Sequence, residues 1–187
     1  DETARASGLP EPLPGLAVLG MGKLGGRELG YGSDLDVVFV YDPDALAGTC
    51  VDPLDAPEIY ARAAQRIIRL IGTPHGSGRG YELDTRLRPS GEQGMLVVSL
   101  GGFRAYHLER DRAMVHAAEW ERQALVRLRP CAGDAAVADD VAAIAAIAAF
   151  GEATSALELG RLRLRIEREL AHERPGRCDV KVGRGGL

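Results

Sequence analysis

Apolar residues fall along the chain in two kinds of block. Residues 15–20 (Gly-Leu-Ala-Val-Leu-Gly) form a run closed by glycines and too short for a helix. Residues 34–41 (Asp-Leu-Asp-Val-Val-Phe-Val-Tyr) are rich in β-branched and aromatic side chains and stop at Asp42-Pro43. Both predict buried strands. Over residues 57–71, Ile59, Ala63, Ile67 and Leu70 recur at helical spacing, with Arg62, Arg66 and Arg69 on another face, and Gly72 and Pro74 stop the helix. Residues 81–87 alternate strictly, which predicts a strand with Glu82, Asp84, Arg86 and Arg88 on its polar face. A short strand is expected over 95–100, mostly helix over 103–129, helices over 135–150 and 157–170, and a weaker strand over 178–182.

Gly20-Met-Gly-Lys-Leu-Gly25 satisfies a dinucleotide-binding fingerprint after a strand, with Asp42 about 20 residues on. The context fails, because a parallel crossover needs a helix and at least ~10–12 residues. Residues 26–33 contain Gly30 and Gly32 and leave no room for one. Residues 15–20 and 34–41 are therefore expected as antiparallel neighbours joined by a loop with at most a helical turn. A Walker A loop fails too, since Lys23 is followed by Leu24 rather than Ser or Thr.

What remains is a glycine-rich loop, ten residues (24–33), and Asp34-x-Asp36 opening a strand. Period-2 alternation projects both carboxylates from one face. Two like charges that close are costly without a cation between them. Capping a turn accounts for Asp34 but leaves Asp36 inside an apolar strand without a partner. A divalent-cation site is the better reading, and hard carboxylate oxygens suit Mg²⁺ or Mn²⁺. A third carboxylate is expected from another strand. Asp84 is the candidate, with Glu82 the alternative. On their own strand these acids read equally well as a solvated face, and the Asp34-x-Asp36 pair tips the balance.

Composition narrows the function classes. The net charge of −4 is a poor footprint for neutralising a run of nucleic-acid phosphates, so a nucleic-acid partner is disfavoured. Cys50, Cys131 and Cys178 are odd in number and widely spaced, as in a reduced, cytoplasmic protein. The longest apolar run, residues 141–150, is about half the ~20 residues of a membrane span, so no membrane partner is expected. His75, His107, His116 and His172 share no spacing, and Trp120 is expected in the core. Arg161, Arg163 and Arg165 stand near Glu158, Glu167 and Glu169, as on an ion-paired helix face. Residues 1–14, polar with three prolines, read as a linker remnant.

The glycine-rich loop, the Asp-x-Asp strand start and the later strand acid resemble the nucleotidyltransferase superfamily that includes polymerase beta. Residues 20–36 (Gly-Met-Gly-Lys-Leu-Gly-Gly-Arg-Glu-Leu-Gly-Tyr-Gly-Ser-Asp-Leu-Asp) more specifically resemble glutamine synthetase adenylyltransferase, as do residues 83–91, 94–97 and 120–127. The resemblance implies an α+β fold, a small mixed or antiparallel sheet packed with helices and followed by a helical extension. The expected division is a nucleotidyltransferase core over 15–130, then a helical extension and final strand over 131–187 that stop before a downstream helical bundle.

The same resemblance implies transfer of AMP from ATP to a tyrosine hydroxyl of glutamine synthetase, with a PII-type signalling protein acting through the full-length enzyme. Asp34, Asp36 and Asp84 would be catalytic and hold Mg²⁺ or Mn²⁺. Gly22, Lys23, Gly25, Gly26 and Ser33 would bind phosphate oxygens through backbone N–H groups and the lysine charge. Arg86 and Arg88 would neutralise the leaving pyrophosphate or pair with Glu82. That family carries two such domains, one adding AMP and one removing it by phosphorolysis. Arg88-Pro-Ser-Gly-x-x-Gly-Met-Leu-Val and Glu121-x-Gln-Ala-Leu-Val-Arg resemble the C-terminal, adenylylating half. The removing half and a non-catalytic nucleotide-sensing module are the alternatives.

Overall fold

The computed structural model describes residues 2–49, 51–74, 76, 78–109, 117–151, 156–169, 171, 176 and 183. The chain divides into two compact units, Asp1–Gly151 and Glu152–Leu187. The first begins with helix α1 (Glu2–Ala6), strand β1 (Leu16–Gly20), the short helix α2 (Gly22–Gly25) and strand β2 (Leu35–Tyr41). Helix α3 (Ala56–Gly72), strands β3 (Leu83–Asp84) and β4 (Val97–Ser99), and helices α4 (Leu100–Leu108) and α5 (Glu119–Ala124) follow. Edge strand β5 (Arg129–Gly133) and helix α6 (Ala135–Phe150) complete the unit. In the second unit, helix α7 (Ala156–Glu169) carries an Arg163–Glu167 ion pair at 3.0 Å, as its charge pattern predicts.

The sheet is mixed, in the order β3-β2-β1-β5, with β4 also on β2. β1 runs antiparallel to β2, from Leu16 opposite Tyr41 to Gly20 opposite Val37, and the connection holds only the single turn of α2, as expected. The outer edge of β2 is shared by two parallel neighbours. Leu35 and Asp36 pair with Leu83 and Asp84, and residues 39–41 pair with 97–99.

Alternation sends Val37, Phe39 and Tyr41 to one face, where they pack with Leu16 and with Ile59, Tyr60, Ala63 and Ala64 of α3. Val38 and Val40 face the other way with Ala17 and Leu19, against Val137, Val141, Ile144 and Ala145 of α6. Each large side chain so buried contributes roughly 1.5–3 kcal/mol, so the strand that carries Asp36 is held firmly on both faces. Asp134 caps α6, accepting from Ala136 N (3.0 Å) and Val137 N (3.3 Å), and also takes the N–H of Gly15 at 3.0 Å.

Several segments differ from expectation. Residues 1–14 supply a helix and bury Ala4, Leu9 and Leu13 in the core, because three apolar side chains there outweigh the prolines. The alternating segment 81–87 keeps only two strand residues. Asp84 Oδ1 accepts from the Arg86 N–H at 2.8 Å, and Arg88 N–H donates to Thr85 O, so the chain leaves the sheet in turns. Among the described residues of 103–129, expected mostly helical, the chain forms the rest of α4, all of α5 and a helical turn at Leu125–Arg127, and β5 begins only at Arg129. Pro130 is tolerated in β5 because that strand is the sheet's edge. Trp120 is 48% exposed rather than in the core. The strand expected over 178–182 lies outside the described residues, as do His75, His116 and His172. Among the described residues no helix is long and apolar enough to cross a membrane.

Candidate active site

Two of the three predicted acids stand side by side at one end of the sheet. Asp34 precedes β2 and is exposed, whereas Asp36 lies inside the strand and is half-buried. The parallel register sets Asp84 directly beside Asp36 on the neighbouring strand. Glu82 falls one step outside that pair, at the exposed point where its carbonyl accepts the Leu35 N–H at 2.8 Å.

The glycine-rich turn lies against these acids. Met21 N–H donates to the Asp36 carbonyl at 2.8 Å, which ties the start of α2 to the acid strand. Gly22 has φ +48°, and a Cβ there would run into Asp36 Oδ2. Glycine is thus required twice over, for the left-handed backbone and for the approach of a carboxylate to the main chain. Gly25 is required by sterics alone, because a Cβ would overlap the carbonyl of Arg127.

The remaining predicted residues divide by what they already bond. Lys23 is exposed on α2. The N–H groups of Gly25 and Gly26 close the helical turn onto Met21 O (2.8 Å) and Gly22 O (3.0 Å). Ser33 N–H donates to Gly30 O at 3.1 Å, and its Oγ accepts from Gly30 N at 3.2 Å. These three amides shape the loop, which leaves Gly22 and Lys23 as the predicted residues at its open end.

Arg86 turns its guanidinium onto Asp84, with Nε 2.9 and 3.0 Å from the two carboxylate oxygens and Nη2 bonded to Oδ2, rather than onto Glu82. That bond holds the Asp84 carboxyl below the usual carboxylate range. Arg88 bonds the carbonyls of Thr85 (2.8 Å), Glu92 (3.3 Å) and Gly94 (3.4 Å) and so pins its own loop.

A cavity of about 510 Å³ opens beside Asp34, lined by Gly32, Ser33, Arg79, Tyr81 and Glu82. The donors fit a hard divalent cation by chemistry, since all are carboxylate oxygens and the strand register brings two of their backbones side by side. Among the described residues, however, no three His, Cys, Asp or Glu side chains form a ready-made cage, and both oxygens of Asp84 are taken by Arg86. A family model described as glutamate-ammonia ligase adenylyltransferase matches residues 3–144.

The chain belongs to the glutamate-ammonia ligase adenylyltransferase family.

Similar members are bifunctional glutamine synthetase adenylyltransferase/adenylyl-removing enzymes. The one from Xanthomonas axonopodis pv. citri is 44% identical over 178 residues, covering 91% of this chain and 18% of that protein. Its counterpart in Thioalkalivibrio sulfidiphilus is 44% identical over 180 residues, 93% of this chain and 18% of the relative. That of Stenotrophomonas maltophilia is 40% identical over 182 residues, 94% and 19%. The chain spans less than a fifth of the length of these family members.

One contributor to this site escaped the sequence reading. Arg129 of β5 donates from Nε to Gly25 O (3.1 Å) and from Nη2 to Leu24 O (2.9 Å). Its neighbour Arg127 pairs with Glu28 at 2.6 Å. No local pattern marks these contacts, which join residues 99 to 105 positions apart.

Proposed function

We propose that this chain carries the adenylyl-transferring site of its family, moving AMP from ATP to a tyrosine hydroxyl of glutamine synthetase in the cytoplasm. A PII-type signalling protein would act through the full-length enzyme. The observation that carries the reading is the pairing of Asp36 with Asp84 beside a glycine turn that admits no side chain. The adenylylating half is favoured over the removing half by the motifs at residues 88–97 and 121–127.

In this reading the tyrosine oxygen bonds to the α-phosphorus, the bond to the bridging oxygen breaks, and pyrophosphate leaves. Lys23 and the Gly22 N–H face the phosphates at the open end of the turn. The hydroxyl proton passes to Asp84 as Arg86, which here holds both carboxylate oxygens, shifts onto the departing pyrophosphate. Asp34, Asp36 and Asp84 are the residues to hold Mg²⁺ or Mn²⁺, which when bound supplies polarisation of the phosphate oxygens. The cavity beside Asp34 gives the nucleoside or the acceptor loop room to enter.

The test is incubation with ATP labelled in the α-phosphate, Mg²⁺ and glutamine synthetase, followed by detection of label on the subunit. Label on glutamine synthetase that disappears with Asp36→Asn, in a variant that stays folded, is the expected result. Release of ADP from adenylylated glutamine synthetase on addition of phosphate would assign the chain to the removing half. Absence of both reactions, with ATP still bound, would favour a sensing module.

A further inference from the structure

We infer that Arg129 is a positioning residue for the nucleotide, acting through the glycine-rich turn from the opposite edge of the sheet. The inference rests on the nucleotidyl-transfer reading of the site. α2 is four residues long, far below the length at which a helix holds itself in water, so its shape must be imposed by neighbours. At its N-terminal end the imposing groups are the Asp36 carbonyl, bonded by Met21 N–H, and the Asp36 side chain lying where a residue-22 Cβ would stand.

At its C-terminal end, backbone bonds run from Arg27 N–H to Leu24 O (3.3 Å) and from Glu28 N–H to Lys23 O (2.8 Å), and a half-buried guanidinium adds to them. Nε and Nη2 of Arg129 take the carbonyls of Gly25 and Leu24 and so tie this end to β5. A cation there also suits the negative end of the turn. The Arg127 carbonyl closes the remaining side, filling the space a Cβ on Gly25 would need. Gly22 and Lys23 are thereby fixed relative to Asp36 by a residue that itself touches neither acid nor substrate. Lysine at 129 keeps the charge but lacks the planar fork that reaches two carbonyls together.

The experiment compares calorimetric titration of ATP with Mg²⁺ into the wild-type chain, Arg129→Gln, Arg129→Lys and Tyr60→Phe. The last variant removes the hydroxyl's hydrogen bonding to Pro14 O and Asp42 O, at the opposite end of the β1–β2 pair from the turn, and so lowers stability away from it. Arg129→Gln should weaken ATP binding about tenfold or more, with partial recovery in Arg129→Lys, because two charge-assisted bonds are lost. Amide hydrogen exchange over residues 22–28 should quicken while β1 stays protected. Tyr60→Phe should melt earlier and bind ATP as wild type does. Equal ATP affinity in wild type and Arg129→Gln would overturn the inference, as would an equal loss in Tyr60→Phe. If Arg129→Gln does not fold, unchanged exchange over 22–28 in Arg129→Lys overturns it instead. A wild-type chain that binds no ATP with Mg²⁺ refutes the nucleotidyl-transfer reading itself, and the inference falls with it.

Discussion

Replacing Gly22 by alanine probes the approach of the glycine-rich turn to the Asp36 carboxylate. The residue has φ +48°, where an L-residue costs roughly 1–2 kcal/mol, and the new methyl meets Asp36 Oδ2. Backbone strain alone should lower the melting temperature by about 2–8 °C for a domain of this size. The sheet, packed on both faces, should survive that loss. The carboxylate must nevertheless move, and a misplacement of about 1 Å in a reacting constellation can cost on the order of 100-fold in rate. We therefore expect Gly22→Ala to retain the wild-type circular dichroism spectrum while AMP transfer to glutamine synthetase falls about 100-fold. A variant that melts earlier as expected but transfers AMP at the wild-type rate would refute the argument that Asp36 needs this space.

Two further outcomes concern stability. His107 is 3% exposed, its ring nitrogens have no hydrogen-bond partner among the described residues, and burial lowers its pKa from 6.5 to about 4. Between those values the unfolded chain binds the proton and the folded chain does not, so stability should fall as pH drops from 6.5 toward 4. From pH 7 to pH 5 the loss is about 2 kcal/mol by urea unfolding, and His107→Leu should abolish that component; an unchanged pH dependence in the variant would contradict it. Asp134 has its carboxyl lowered by the Gly15, Val137 and Ala136 N–H groups, so Asp134→Ala should cost about 0.5–2 kcal/mol at pH 7. That deficit should shrink as acid protonates the wild-type carboxyl, and an equal deficit at low pH would exclude the cap as its origin.

The strands β1 and β2 were legible as short apolar runs closed by glycine or Asp-Pro, and the helices α3 and α6 as longer stretches with apolar residues at helical spacing. The acids were legible for a related reason, since Asp36 breaks an apolar run and no local cap explains it. Segment 81–87 was misleading because the polar residues that alternate there and just beyond also bond nearby backbone, and Asp84 with the Arg86 N–H and Arg88 with the Thr85 carbonyl favour turns over a longer strand. β5 lacks any alternation and contains a proline, so its place in the sheet follows only from β1 needing a second neighbour. Arg129 was invisible for the same reason: its value lies in two carbonyls that no neighbouring residue announces.

The separation of Arg129 from Gly25 by 104 positions also orders events while the protein is being made. At about 5–20 residues per second, Asp34 and the strand bearing Asp36 leave the ribosome roughly 5–20 s before the arginine that steadies the turn beside them. During that interval a nascent chain holds the acids and the glycines but not the fork. The glycine-rich turn therefore gains its Arg129 contacts only with the arrival of the last strand.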